Sequence, residues 1–220
     1  MPANAPDRQK KNLPKRGPYK SGLERQKQIV EAARILLIDE GYHNFSIRKV
    51  AKKVGISPGN LQHHFATRDE LVSAMIDHVI GKYLLLIEDI KNKAPSPKAC
   101  LFEVIEFVTR DLQTRDTTVF FPEIWSLSNH DQYIDGLMQK MYEVYRRTYQ
   151  DIALQINPDL SEEQGRLIAL FISSTIEGHT MFIGYKKSYN QMCEGVIKMI
   201  CSMALQLIES GEIPTEKTNN

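Results

Sequence analysis

The chain has 220 residues, 42% of them hydrophobic, enough for a packed core arranged as a helical array or as two modest domains. No run approaches 18 consecutive apolar residues, and no apolar segment follows the basic N-terminus. Neither a membrane span nor a secretory signal is therefore expected, and the chain reads as cytoplasmic. The net charge of +1 hides a segregation: residues 1–68 hold 14 Lys/Arg against 5 Asp/Glu, net +9, and the rest hold 14 against 22, net −8. A basic segment on an acidic body is the electrostatic footprint of a nucleic-acid binder, because the acidic part repels phosphate and orients the basic end.

In chain order, residues 1–22 combine prolines and glycines with Arg8, Lys10, Lys11, Lys15, Arg16 and Lys20, and read as a disordered basic arm. Such an arm either tracks phosphates or acts as a plain linker. From Glu24 the apolar spacing is helical, through Ile29, Ala33, Leu36 and Leu37, and Gly41 is the expected stop. A second helix follows Ser46 and runs through Val50, Ala51 and Val54 to Gly55. A third opens at Ser57-Pro58, hydroxyl cap and first-turn proline, and ends near Phe65. Thr67 to Glu70 has the form of a capping box and opens a fourth, whose stripe is Leu71, Met75, Val79, Tyr83 and Leu86, to about Lys91. Pro95 and Pro97 interrupt the chain. Further helices are expected near 97–114, 117–128, 131–156, 161–186 and 189–210, with a polar tail over 211–220.

Residues 46–65 are the informative stretch. Small Ala51 permits a close helix crossing, Gly55 can take the left-handed backbone of the turn, and Val50, Val54, Ile56, Leu61 and Phe65 supply a small core. This spacing fits a helix-turn-helix, although an ordinary helical hairpin shares it. With Leu61 and Phe65 turned inward, Gly59, Asn60, Gln62 and His63 face outward. Amide side chains suit adenine edges, and histidine suits guanine or phosphate. Ser46 and Ser57 at helix starts, His64, and the cations Arg48, Lys49 and Arg68 complete the expected DNA-binding set. Adjacent histidines on a helix diverge by roughly 100°, so His63-His64 is not read as a metal pair.

From Ile29 to Leu71, about a fifth of the chain, the sequence resembles the TetR family DNA-binding domain. The matching residues are Ala32-Ala33, Gly41-Tyr42, Ser46, Val50-Ala51, Gly55-Ile56-Ser57, Gly59-Asn60-Leu61, His64-Phe65 and Arg68-Asp69-Glu70-Leu71. The resemblance implies an all-α fold. Residues 23–70 would form a helix-turn-helix domain, joined by a long helix to a helical ligand-binding and dimerisation domain over 71–210. It also implies that the third helix enters a major groove and that the Ser46 and Arg68 positions meet phosphates. The family commonly has tyrosine where Gln62 stands, and lysine where Arg68 stands.

The implied function is a transcriptional regulator, usually a repressor, released from a palindromic double-stranded operator by a small-molecule effector. Control by a protein partner, or action as an activator, is the alternative. A homodimer through residues 161–210 is expected. There Leu167, Phe171, Ser174, Gly178, Met181 and Tyr185 form one stripe, and Val196, Ile200, Met203, Ala204 and Leu207 another. For an effector pocket the candidates are Phe102, Phe121, Trp125, Tyr142, Tyr145, Glu177, His179 and Met181, aromatic or apolar groups with a few polar ones among them. Pro122 is expected to kink or start a helix near that pocket, and Gly81 marks the fourth helix as the mechanical link. No phosphate loop, nucleophile elbow or metalloprotease motif is present, so no catalytic residue, metal or cofactor is expected. Cys100, Cys193 and Cys201 read as buried thiols, with a redox-sensing Cys193–Cys201 pair as the alternative.

Overall fold

The computed structural model describes residues 18–212, and the side chains of 22–212. The described residues form helices and connections, with no strand among them. Helix α1 (Pro18–Glu40), α2 (Ile47–Val54), α3 (Pro58–Gln62) and α4 (Arg68–Lys93) come first. They are followed by α5 (Pro97–Asp111), α6 (Arg115–Ser128), α7 (Gln132–Ile156), α8 (Glu162–Gly178), α9 (Thr180–Ile183) and α10 (Cys193–Ser210). Residues 18–22 belong to α1, so the expected irregular arm is too long by that segment. Its remainder, 1–17, and the tail beyond Glu212 lie outside the described residues.

Local chemistry explains the helix starts. Ser46, Ser57, Thr67, Ser96, Thr114, Asp131 and Ser161 each accept a first-turn backbone N–H at the head of α2 to α8 in turn. At Thr67 the expected capping box is half formed. Thr67 caps Glu70 N–H, but the Glu70 carboxylate accepts from Ala66 N–H, one residue before the box position. The complete box is Ser161 with Gln164.

Two apolar cores organise the chain. One joins Ile29, Ala33 and Leu37 of α1, Val50 and Ala51 of α2, Leu61 of α3, and Leu71, Val72, Met75 and Ile76 of α4. It continues into Phe120 and Ile124 of α6 and Ile134 and Met138 of α7. The other joins Leu101, Val104 and Ile105 of α5, Tyr149 and Ile152 of α7, Ile168 and Ile172 of α8, and the inner side of α10. The helix-turn-helix unit is thus packed without a break onto the middle of the larger region, through α6 and the start of α7.

Three sequence expectations change. The α4 stripe drifts after Tyr83: Leu86 is exposed and Ile87 takes the buried place. The helix expected over 161–186 ends at Gly178, and the short α9 follows. Beyond it the chain turns at Gly184, where an added Cβ would collide with Thr180 O and lie 2.7 Å from Thr118 Oγ1. Thr118 Oγ1 accepts from Tyr185 N–H, and the Asn190 amide donates to the carbonyls of Ile183 and Gly184, so α10 starts only at Cys193. Pro122 lies inside α6 rather than starting it.

The segment Asn190–Ser210 is long and apolar enough by composition to cross a membrane, a candidate the run-length criterion passes over. Its inner side, Cys193, Ile197, Ile200, Cys201, Ala204 and Ile208, is buried in this fold. The three cysteines are free and buried, and burial pushes each thiol upward, away from the reactive thiolate.

Candidate nucleic-acid interface and effector cavity

The turn between α2 and α3 follows from its residues. Gly55 has φ 73° and ψ 35°, the left-handed conformation that closes α2, and Ile56 N–H bonds back to Ala51 O at 3.0 Å. Val50, Ala51 and Leu61 are fully buried and Phe65 nearly so, which fixes the rotation of α3. Gly59, Asn60, Gln62 and His63 are exposed together on its outer side, and His64 is half-buried beside them. Ser46 and Ser57 spend their oxygen lone pairs on Lys49 N–H and Asn60 N–H, which leaves each hydroxyl proton free to donate to a phosphate. Arg48 is exposed on α2 with no ion pair among the described residues. Lys49 pairs with Glu40 at 2.6 Å, both ends exposed, a contact weak enough for a phosphate to displace.

Arg68 is placed differently from the expected open phosphate contact. Its guanidinium lies 4.0 Å from the Tyr42 ring centroid, and one terminal nitrogen donates to Tyr42 O at 3.2 Å. Its Nε is buried with no hydrogen-bond partner. In the free protein Arg68 therefore fastens the head of α4 to the end of α1. The fastening continues inward: Tyr42 N–H donates to the Glu123 carboxylate of α6 at 2.8 Å. Arg34 pairs with Asp116, and Arg115 pairs with Asp39 at 2.8 Å and donates to Ile38 O.

The neighbouring side of α6 faces a cavity. Thr117 and Phe121 line it with Ile80, Tyr83, Leu84 and Ile87 of α4, Met141, Tyr142 and Tyr145 of α7, and Glu177 of α8. Its volume is about 50 Å³, room for a few waters and well below the few hundred Å³ of a typical small-molecule site. Tyr142 Oη accepts from Trp125 Nε1 at 2.7 Å, and the Tyr145 and Tyr149 hydroxyls are 3.1 Å apart. Burial among these rings pushes the Glu177 carboxyl up to about 7, and a hydrogen bond with Tyr142 pulls the other way. Burial likewise raises Tyr142, Tyr145 and Tyr149.

Four of the eight residues expected in a pocket meet here: Phe121, Tyr142, Tyr145 and Glu177. Trp125 and Met181 border a shallower groove that shares Tyr142 and Glu177 with the cavity. Phe102 lies elsewhere, on a surface cleft with Glu106, Ile197 and Cys201, because α5 turns that side of the helix toward α10. His179 also lies off the cavity, its Nδ1 against Thr175 O at the end of α8. Tyr83 and Thr117, absent from the sequence candidates, also line it, as do Val108 of α5 and Leu112 just after that helix. The apolar stripe of α4 was the available signal for Tyr83.

Comparison with known proteins decides the family. Residues 29–75 match the model of the bacterial regulatory proteins of the tetR family. The chain is 30% identical over 156 residues to the HTH-type transcriptional regulator PksA of Bacillus subtilis, covering 67% of this chain and 75% of that protein. The chain belongs to the TetR family. It is also 24% identical over 157 residues to the HTH-type transcriptional regulator BetI of Pectobacterium atrosepticum, covering 70% and 79% of the two chains. A TetR-family regulator structure from Mesorhizobium loti superposes with a TM-score of 0.71 at 13% identity, over 84% of this chain and 97% of that one, which shows the shared fold. As a TetR-family member, this protein is a helix-turn-helix transcriptional regulator.

Helices α8, α9 and α10 of this TetR-family chain carry exposed large apolar groups. Leu167 and Leu170 of α8, Met181 and Phe182 of α9, Met192 before α10, and Met199 and Met203 on α10 are all at least 37% exposed. The face differs from the stripe read in the sequence. Ile200 and Ala204 are buried in the chain's own core, and Met199 and Met203 take the outer side.

Proposed function

We propose that the protein is a repressor that binds a palindromic operator as a homodimer and is released by a small molecule entering the cavity between α4, α6, α7 and α8. The support for effector control is the double engagement of α6. Thr117 and Phe121 line the cavity, while Phe120 and Ile124 are buried with the DNA-binding helices and Glu123, Asp116 and Arg115 hold α1 and the turn after it.

A ligand cannot enter so small a space without displacing Phe121 or Tyr142. Moving Phe121 moves α6, and moving α6 pulls on Tyr42 and α1. In this reading α6 is a second mechanical link beside α4. An effector coupled in this way by roughly 1–3 kcal/mol lowers operator affinity about 5–150-fold.

For DNA, the reading surface is Gly59, Asn60, Gln62 and His63 on α3. Ser46, Ser57, Arg48, Lys49, His64 and Arg68 around it serve the phosphates. Arg68 reaches a phosphate by leaving its Tyr42 stack, or contributes its charge from there. The apolar face of α8, α9 and α10 supplies the dimer contact, because isolated chains seldom expose so many large apolar groups side by side. Two copies then present their α3 helices to successive major grooves roughly 34–36 Å apart. A cytoplasmic location follows from this role.

The test is to footprint the purified protein on genomic DNA and then to measure its affinity for the protected duplex with and without candidate effectors. Release by a compound that alters the cavity residues supports the reading. An operator affinity indifferent to every compound that binds the cavity would overturn effector control.

A further inference from the structure

The cavity has a definite chemical character beyond being apolar. Four aromatic rings, Tyr83, Phe121, Tyr142 and Tyr145, border it together with one carboxylate, Glu177. Among the described residues no Lys, Arg or His forms an ion pair with that carboxylate, whose hydrogen bond is to Tyr142. The titratable groups that face it are Tyr142, Tyr145 and Tyr149 of α7, with Tyr83 across the cavity on α4. Arg146 does not line the cavity; it borders the adjoining groove, which Glu177 also borders, and makes no ion pair with it. Glu177 is half-buried; holding a carboxylate partly out of water among aromatic rings without a paired cation is costly, and it leaves a place for a positive charge.

We propose that this cavity takes a lipophilic organic monocation, with its charge against the Glu177 carboxylate and its apolar body among the four rings. The proposal rests on the effector reading above and narrows the class of compound. Aromatic faces attract cations, and desolvation strengthens that attraction. An organic anion would instead be repelled by Glu177, and a neutral compound would gain from the rings alone. Tyr142 and Glu177 border both the cavity and the adjoining groove, where Trp125, Leu170, Ser174 and Met181 also lie. Turning Tyr142 aside merges the two spaces, and it breaks the Trp125 Nε1 to Tyr142 Oη hydrogen bond. The chain contains a single tryptophan, Trp125, so its fluorescence reports the event directly.

The experiment titrates full-length protein with phenyltrimethylammonium, with its neutral isostere tert-butylbenzene and with 3-phenylpropanoate, following Trp125 emission. A permanently charged cation is used so that only the protein titrates. The expected order is cation, then neutral, then anion, with the cation ahead of its isostere by at least roughly tenfold. Cation affinity should rise between about pH 6 and 8 and level off above, as Glu177 ionises, while neutral binding stays flat. Glu177→Gln should remove the cation preference. The pH series on the unaltered chain tests the same point if that variant does not fold. Equal binding of cation and isostere, or a pH-independent cation affinity, overturns the proposal and leaves effector control standing. Absence of binding by all three probes overturns the proposal and also counts against the effector reading.

Discussion

The backbone N–H of Tyr42 donates to the carboxylate of Glu123 at 2.8 Å, across 81 residues of sequence. Tyr42 also carries the Arg68 guanidinium on its ring, and Glu123 lies two positions after the cavity residue Phe121. One residue of the helix-turn-helix unit is thus tied to the helix that borders the cavity. Glu123→Ala removes the acceptor and leaves a partly buried N–H unpaired, at a cost of about 1–3 kcal/mol in stability. Its more specific consequence should be a smaller ratio between operator affinities without and with effector, while affinity without effector changes little. Binding isotherms for both proteins, with and without a saturating cavity ligand, check this. An unchanged ratio would mean that α6 does not transmit through Tyr42.

Gly81 lies within α4, and an added Cβ there would meet nothing within 4 Å. No close packing requires the glycine, so its effect is to weaken the helix where it passes between the two cores. Gly81→Ala should stabilise the chain by about 1 kcal/mol, a rise of roughly 2–4 °C in Tm. If flexibility of α4 contributes to release, the same variant should also lower effector sensitivity. Thermal unfolding followed by circular dichroism measures the first effect.

Asn60 and Gln62 should behave differently from Arg68 on DNA. Replacing either amide with alanine should cost roughly 1–3 kcal/mol and relax preference at particular base pairs. Arg68→Ala should weaken all sequences alike and lower the salt slope by about one unit. Because Arg68 also packs on Tyr42, it should lower Tm as well, and Arg68→Lys should restore the salt slope better than the stability. Operator affinities over a salt series, alongside melting curves, separate the two roles.

Glu177 gives a stability prediction that needs no ligand. Its carboxyl titrates near 7 in the folded chain, raised from 4.5 by burial. A raised carboxyl leaves folding unpenalised below the unfolded value. It destabilises increasingly as pH climbs toward 7, and by a constant amount above that. Glu177→Gln should therefore melt close to the unaltered protein at pH 4.5 and gain on it steadily up to about pH 7.5. Parallel melts at four or five pH values would show this, and a difference that does not vary with pH would contradict it.

The helix-turn-helix could be read from the sequence because its signals are local. Ser46, Ser57 and Thr67 cap residues three positions on, and Gly55 and Leu61 fall within one turn of their partners. The cavity and the α6 linkage depend on contacts such as Tyr42 with Glu123 and Arg34 with Asp116, some 80 residues apart, which no periodicity encodes. Aromatic composition alone could not separate Phe121, in the cavity, from Phe102, beside α10. The break after Gly178 was hidden for a similar reason. The segment from Met181 to Ile183 stays apolar, and the turn is held by Gly184 packed under Thr118 and by the Asn190 amide on the Ile183 and Gly184 carbonyls.

The most direct test joins oligomeric state to DNA affinity. Sedimentation of the purified protein should give a dimer, and Leu170→Glu together with Met199→Lys on the exposed apolar face should give folded monomers. The dimer's affinity for its footprinted duplex should fall steeply and linearly with log salt concentration, and the monomeric variant should lose most of that affinity. A lone monomer with no salt-sensitive affinity for any duplex would contradict the assignment of the α3 surface to DNA.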